Sequence, residues 1–362
     1  MKPSEPDINE PKSVQSLCGY RIFAARTMRG YSLSELAQKI DNVVCRQTLN
    51  KYEQGILHPT AETLQVIADV LEMDIPYFMR PLHPKIEYMR LRLPISTKGV
   101  VQHSCEEQIR DYCERYLEIE ELLALPTDFV PIEFDVVKNL RIDAVVRARQ
   151  LRQLWQLGDF GISSIMNLLE IHHIKTICIE APDTFRATAG FIADNRPIIV
   201  LNQSLPNEQK RLAVLQELGR ILLPFQPGLS ESNQERLCFT FATEMLISGH
   251  ALRGYFGLSR EAISLNELRY IQAVYGIPID CLMLKLKRYG IIDSYTHRRY
   301  LTRKRQDPVY AALTDEKVFH TCPISRMERL VSRALVNGII TPTKAASLLN
   351  LSVEEILQNK LI

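Results

Sequence analysis

Two groups of side chains have the types and spacing to do chemistry. The first is Gln216-Glu217-Leu218-Gly219-Arg220, set in an apolar run from Leu212 to Leu223. A helical H-E-x-x-H frame places two imidazoles on one face to bind Zn²⁺, and its Glu activates the bound water. Here the Glu is kept, while Gln216 and Arg220 occupy the two imidazole positions. A carboxamide is a poor zinc ligand, and a guanidinium has no lone pair to give at working pH. No metal, no cofactor and no catalytic residue is therefore assigned. Glu217 and Arg220 lie three apart, within reach of an ion pair on a helix. Gln216, Glu217 and Arg220 are alternatively the lining of a vestigial pocket that takes a small molecule.

The second group is Arg46, Gln47, Thr48, Asn50 and Lys51. Arg pairs two-pronged with guanine, and Gln or Asn does so with adenine. Lys51, and Arg26 upstream, have the charge to hold phosphates. These residues need a short helix, polar on one side. Ser32-Leu33-Ser34-Glu35 is a capping box that starts a preceding helix burying Leu36, Ala37 and Ile40. Asp41-Asn42 break it. A second helix runs from about Arg46 to Gln54, with Leu49 and Tyr52 inward and Gly55 as a left-handed terminator. Two short helices so joined form a helix-turn-helix.

On these residues, together with Arg21-Ile22, Pro59-Thr60, Thr63-Leu64 and Ile67-Ala68, the segment resembles the XRE/Cro-repressor family of DNA-binding domains. The resemblance covers about 60 residues and implies a five-helix unit that binds double-stranded DNA, commonly as a homodimer. The chain departs from it at Leu33, where the family usually has Gln, and in a turn one residue long at Asp41-Asn42-Val43. The alternative is a helical interaction module without DNA binding. Farther on, Leu154-Trp155-Gln156-Leu157-Gly158, Ile165–Leu169, Pro197–Asn202, Gln216–Leu223 and Phe241–Ile247 follow one order. In that order they resemble the ImmA/IrrE metallopeptidase-like family, which sits behind such DNA-binding domains. That resemblance implies a third ligand, a Glu, where this chain has Leu237, with Glu231 and Glu235 nearby. It points to a zincin-like fold without its metal ligands, a pseudoenzyme of bacterial, phage or mobile-element origin.

The chain has 362 residues, with 44 Lys and Arg against 42 Asp and Glu. That balance excludes a globally basic protein but not a basic patch. No run approaches the length of apolar residues that spans a bilayer, and the polar N-terminus lacks a signal-peptide core, which predicts a cytoplasmic protein. The eight cysteines form no CxxC pair and are expected as free thiols. Helical and β-type periods predict a mainly α chain with a small α+β domain. The order is a leader over 1–16, a helix-turn-helix unit over 17–82, a helical linker over 83–135, the peptidase-like domain over 136–250 and a C-terminal helical region over 251–362. Strands are expected at Lys175–Ile179, Thr188–Ala193 and Pro197–Leu201. Asp159-Phe160-Gly161 is a loop, and His172-His173 a surface pair. The run His297-Arg298-Arg299…Arg303-Lys304-Arg305 is a solvated helical face, a set of salt bridges, or a phosphate contact. Together these features imply a sequence-specific regulator whose central domain senses a ligand or binds a partner. A repressor-cleaving metallopeptidase and an antitoxin-like adaptor remain the alternatives.

Overall fold

A computed structural model describes residues 14–82, 99–126, 129–132, 140–192, 196–316, 318–319 and 325–358. The expected leader lies outside these residues, except that a first helix already begins at Val14, and of the expected linker residues 83–98, 127–128 and 133–135 lie outside them. The structure is mainly helical with one small sheet. It divides into two compact units.

The first unit opens with α1 (Val14–Met28), α2 (Leu33–Lys39), α3 (Arg46–Glu53), α4 (Ala61–Leu71), a 3-10 turn (Ile75–Met79) and α5 (Val100–Leu122). The capping box at α2 is made in both directions: Glu35 N donates to Ser32 Oγ (3.1 Å), and Ser32 N to Glu35 Oε2 (2.7 Å). Ile22, Leu36, Ile40, Leu49, Ile67 and Phe78 fill the core between α1 and the 3-10 turn. Leu33 packs against that core, so the departure from the family's polar residue is an apolar contact. Asp41 and Asn42 both adopt positive φ, 52° and 55°, as short polar side chains tolerate, and this turns the chain between α2 and α3.

The second unit holds α6 (Leu140–Leu154), α7 (Ile165–Ile171), β1 (Lys175–Ile179), β2 (Ala187–Ile192), β3 (Arg196–Asn202), α8 (Asn207–Leu222) and α9 (Glu231–Leu246). It continues with α10 (Gly249–Phe256), α11 (Leu265–Tyr275), α12 (Ile279–Arg288), α13 (Ser294–Gln306) and α14 (Pro308–Asp315). The sheet order is β1-β3-β2, with β1 parallel and β2 antiparallel to β3. Strand β3 is central, which accounts for its unbroken burial from Pro197 to Asn202. Helices α8 and α9 approach closely at Gly219, where an added Cβ would meet Phe241 Cδ1 at 3.0 Å. Trp155 is buried and stacks on His172 at 4.2 Å between ring centroids. His172 is therefore a half-buried packing residue rather than part of a surface pair.

The last helices, α15 (Arg326–Val336), α16 (Pro342–Leu349) and α17 (Val353–Gln358), rejoin the first unit. The single C-terminal helical region expected over 251–362 is thus split between the units, and α5 belongs to the first. Leu330, Val331, Ala334 and Leu348 surround Tyr116 and Ile119 of α5. A buried ionic row crosses this unit. Arg21 Nη1 meets Glu114 Oε2 at 2.7 Å, Arg80 meets Asp111, and Arg115 Nε meets Asp111 Oδ2 at 2.9 Å. Arg115 Nη1 also donates to Leu348 O at 2.6 Å, joining α5 to α16.

Burial alone would raise the Asp111 pKa, but Arg115 and Arg80 outweigh it and hold the carboxyl at about 2. Its folded value lies below its unfolded one. The stabilisation is therefore complete above the unfolded value of ~3.9 and is lost as pH falls through about 2. Hydrogen exchange of the α5 peptide should speed up over that acid window. Asp111→Asn should already be destabilised at neutral pH and should lack that acid step.

Candidate nucleic-acid interface

Helix α3 presents two unlike faces. Leu49 is fully buried and Tyr52 nearly so. Arg46, Gln47, Asn50 and Lys51 are exposed, and Thr48 is half-buried. Among the described residues, no carboxylate pairs with Arg46 or Lys51. The helix starts at Cys45, whose Sγ lies 3.3 Å from Thr48 Oγ1. It stops in a Schellman arrangement: Gly55 N donates to Tyr52 O (3.0 Å) and Ile56 N to Lys51 O (2.9 Å), with Gly55 at φ 69°.

Two contacts fix α3 against α1. Gly19 lets the backbones approach so closely that an added Cβ would lie 2.2 Å from Tyr52 O. Arg26 makes a two-pronged bridge to Glu53, at 2.6 and 2.9 Å, and donates to Tyr31 O at 2.6 Å. This corrects the assignment of Arg26 as a phosphate contact. Its side chain is only 12% exposed, and its guanidinium is committed to positioning the helix. Glu53, which the sequence pattern passed over, is the other half of that brace. A charged residue at the end of an otherwise polar helix was the available signal. The arrangement is a rigid polar ridge of two-pronged donors and acceptors, shaped to enter a groove.

In the second unit, α8 places Glu217 and Arg220 in contact, Arg220 Nε donating to Glu217 Oε2 at 3.2 Å. The ion pair expected from their spacing is made. Gln216 is half-buried beside them. Among the described residues, no group of three His, Cys, Asp or Glu side chains converges as a metal site would require. The residues at the H-E-x-x-H positions do not fit a zinc ion, since one is a permanent cation already bound to the remaining carboxylate.

A more deeply buried cluster went unpredicted. Glu244, 1% exposed, accepts from Lys285 Nζ and Tyr289 OH (both 2.6 Å), Arg149 Nε (2.9 Å) and Gly249 N (3.0 Å). Burial alone would raise its pKa, but the Lys285 charge turns the shift downward. Burial pushes Lys285 down to about 8, so both remain charged at neutral pH. A lone carboxylate within Phe241-Ala-Thr-Glu-Met-Leu246, and a lysine amid the apolar positions of α12, were the visible signs.

Burial, helix ends and the exposed ridge of α3 define the first unit as a helix-turn-helix module. Residues 22–78 match the helix-turn-helix family. An uncharacterised HTH-type transcriptional regulator of Rickettsia prowazekii (strain Madrid E) is 30% identical over 106 residues, which are 27% of this chain and 78% of that protein. A second, from Rickettsia conorii, is 30% identical over 106 residues, 27% of this chain and 82% of the relative. The chain belongs to the HTH-type transcriptional regulators. Among the described residues, no helix is long and apolar enough to cross a membrane.

Proposed function

We propose that the protein is a cytoplasmic, sequence-specific DNA-binding regulator that reads its operator through α3. One observation carries this reading: Arg46, Gln47, Asn50 and Lys51 stand exposed on a helix held by the Arg26–Glu53 brace. The protein acts as a homodimer on a two-fold site, with half-sites about one helical turn apart. Selection of bound duplexes from a random pool with the purified full chain tests it. Arg46→Ala or Asn50→Ala is expected to weaken binding to the selected duplex by about 1–3 kcal/mol while changing random-duplex binding little. Equal losses on both duplexes would reject base reading.

The second unit is read as a metallopeptidase-like fold of the ImmA/IrrE type that has given up its metal and serves to sense a ligand or bind a partner protein. The Glu217–Arg220 pair favours this over a working peptidase, because the guanidinium neutralises the one carboxylate that would otherwise activate water. Purified protein is expected to carry no stoichiometric zinc by mass spectrometry under non-denaturing conditions. One equivalent of zinc, with proteolysis abolished by a chelator, would establish the enzyme instead.

A further inference from the structure

Helix α13 carries Arg298, Arg299, Arg303, Lys304 and Arg305 and no acidic residue between Ser294 and Gln306. The whole chain has a net charge of only +2, so this one helix concentrates more positive charge than the chain has in excess. Its inner face is accounted for. Thr296 and Tyr300 are buried, and Lys304 Nζ is held between Asp280 (2.7 Å) and Asp315 (2.6 Å). Its outer face carries more arginine than the carboxylates at its two ends balance. Arg298, Arg299, Arg303 and Arg305 are exposed. Among the described residues two carboxylates lie near them: Asp307, 4.0 Å from Arg303 Nε, which also caps α14 by accepting from Tyr310 N, and Asp293, which caps α13 by accepting from Thr296 N and feels the Arg298 charge.

The exposed residues share one side of the helix. Tyr295, Arg298, Arg299, Thr302, Arg303 and Gln306 line an open groove of about 520 Å³, with Asp307 at its end. Their spacing repeats at three and four residues, which keeps them in one row. The Arg303 guanidinium lies 4.2 Å from the centroid of the Tyr310 ring, which holds its plane in place.

Arginine, threonine, glutamine and tyrosine are the donors that proteins offer to phosphate and sugar oxygens. The centre of a protein–protein interface is instead depleted of charge and built on apolar anchors. Tyr295 is the single large ring in this groove, and arginines flank it. We propose that the outer face of α13 is a second nucleic-acid contact, which grips the phosphate backbone of duplex DNA without reading its sequence. It adds to the α3 ridge and does not depend on it, since the two lie in different units.

The test uses the full chain and a fluorescent duplex of random sequence, with anisotropy measured across a series of KCl concentrations. Each phosphate that the protein ceases to neutralise flattens the slope of log K against log salt by about 0.9. The variant R298A/R299A/R303A is expected to flatten it by about 2 to 3 and to weaken binding about tenfold or more at low salt. Its surface substitutions leave the buried side of the helix untouched, and unchanged Trp155 fluorescence confirms the fold. An unchanged slope overturns the proposal. So does loss of binding to poly-glutamate with the duplex slope intact, which would assign the face to an acidic protein. R46A/K51A separates the two sites. If α3 does not touch DNA, that variant leaves the random-duplex slope unchanged, while R298A/R299A/R303A still flattens it.

Discussion

Glu244→Ala is expected to lower the stability of the second unit by about 3–5 kcal/mol, because it strands Lys285 as an unpaired cation in the core. Lys285 is 3% exposed, and what remains to it is a hydrogen bond to the carbonyl of Thr243 at 2.8 Å and the face of the Tyr289 ring, 5.4 Å away. Arg149 keeps access to water and suffers less, its side chain being 48% exposed. Urea unfolding followed by Trp155 fluorescence reads this unit selectively, since Trp155 is the chain's one tryptophan and lies in that core. The paired variant E244A/K285M should recover most of the loss, as apolar replacement of buried ion pairs commonly does. A single variant within about 1 kcal/mol of the parent would show that the pair is not confined as described.

Gly19→Ala has the second-largest expected effect. Two opposing terms decide its sign. Alanine is the better helix former by roughly 1 kcal/mol. Against that, its Cβ would sit 2.2 Å from Tyr52 O and 3.0 Å from Glu53 O. Both obstacles are backbone atoms of α3, which cannot swing aside as a flexible side chain would. Helix α3 must shift, and overpacking of this kind costs about 1–3 kcal/mol or more. Because α3 is the proposed reading helix, affinity for a selected duplex should fall further than stability does. A melting temperature and duplex affinity equal to the parent's would contradict the close approach.

Local patterns were readable where the physics is local. The Ser32–Glu35 box forms as its spacing required, with Glu35 N donating to Ser32 Oγ at 3.1 Å. The inward Leu49 and Tyr52, the left-handed Gly55 and the Glu217–Arg220 pair follow from a 3.6-residue period. The first and last strands came within a residue of their expected limits because β-branched runs bounded by turn residues leave few choices; the expected end of the middle strand, Ala193, lies outside the described residues. Contacts between distant segments were not readable. Arg26 looked like a phosphate ligand until Glu53, 27 residues on, claimed its guanidinium. Glu244 and Lys285 lie 41 apart and meet only because α9 and α12 pack together. The return of α16 to α5 rests on contacts such as that of Arg115 with the Leu348 carbonyl, 233 residues away, and no periodicity encodes a partner at that range.

That return has a consequence for how the protein is made. The second unit, from about residue 128 to 323, is complete while the ribosome is still adding the last helices. The Tyr116 and Ile119 side of α5 is covered only when α15, α16 and α17 arrive. Throughout synthesis of the middle of the chain, that apolar strip stays bare and open to chaperones and proteases. A message cut short before Arg326 is expected to yield a protein with a finished second unit and a first unit whose α5 apolar strip stays uncovered.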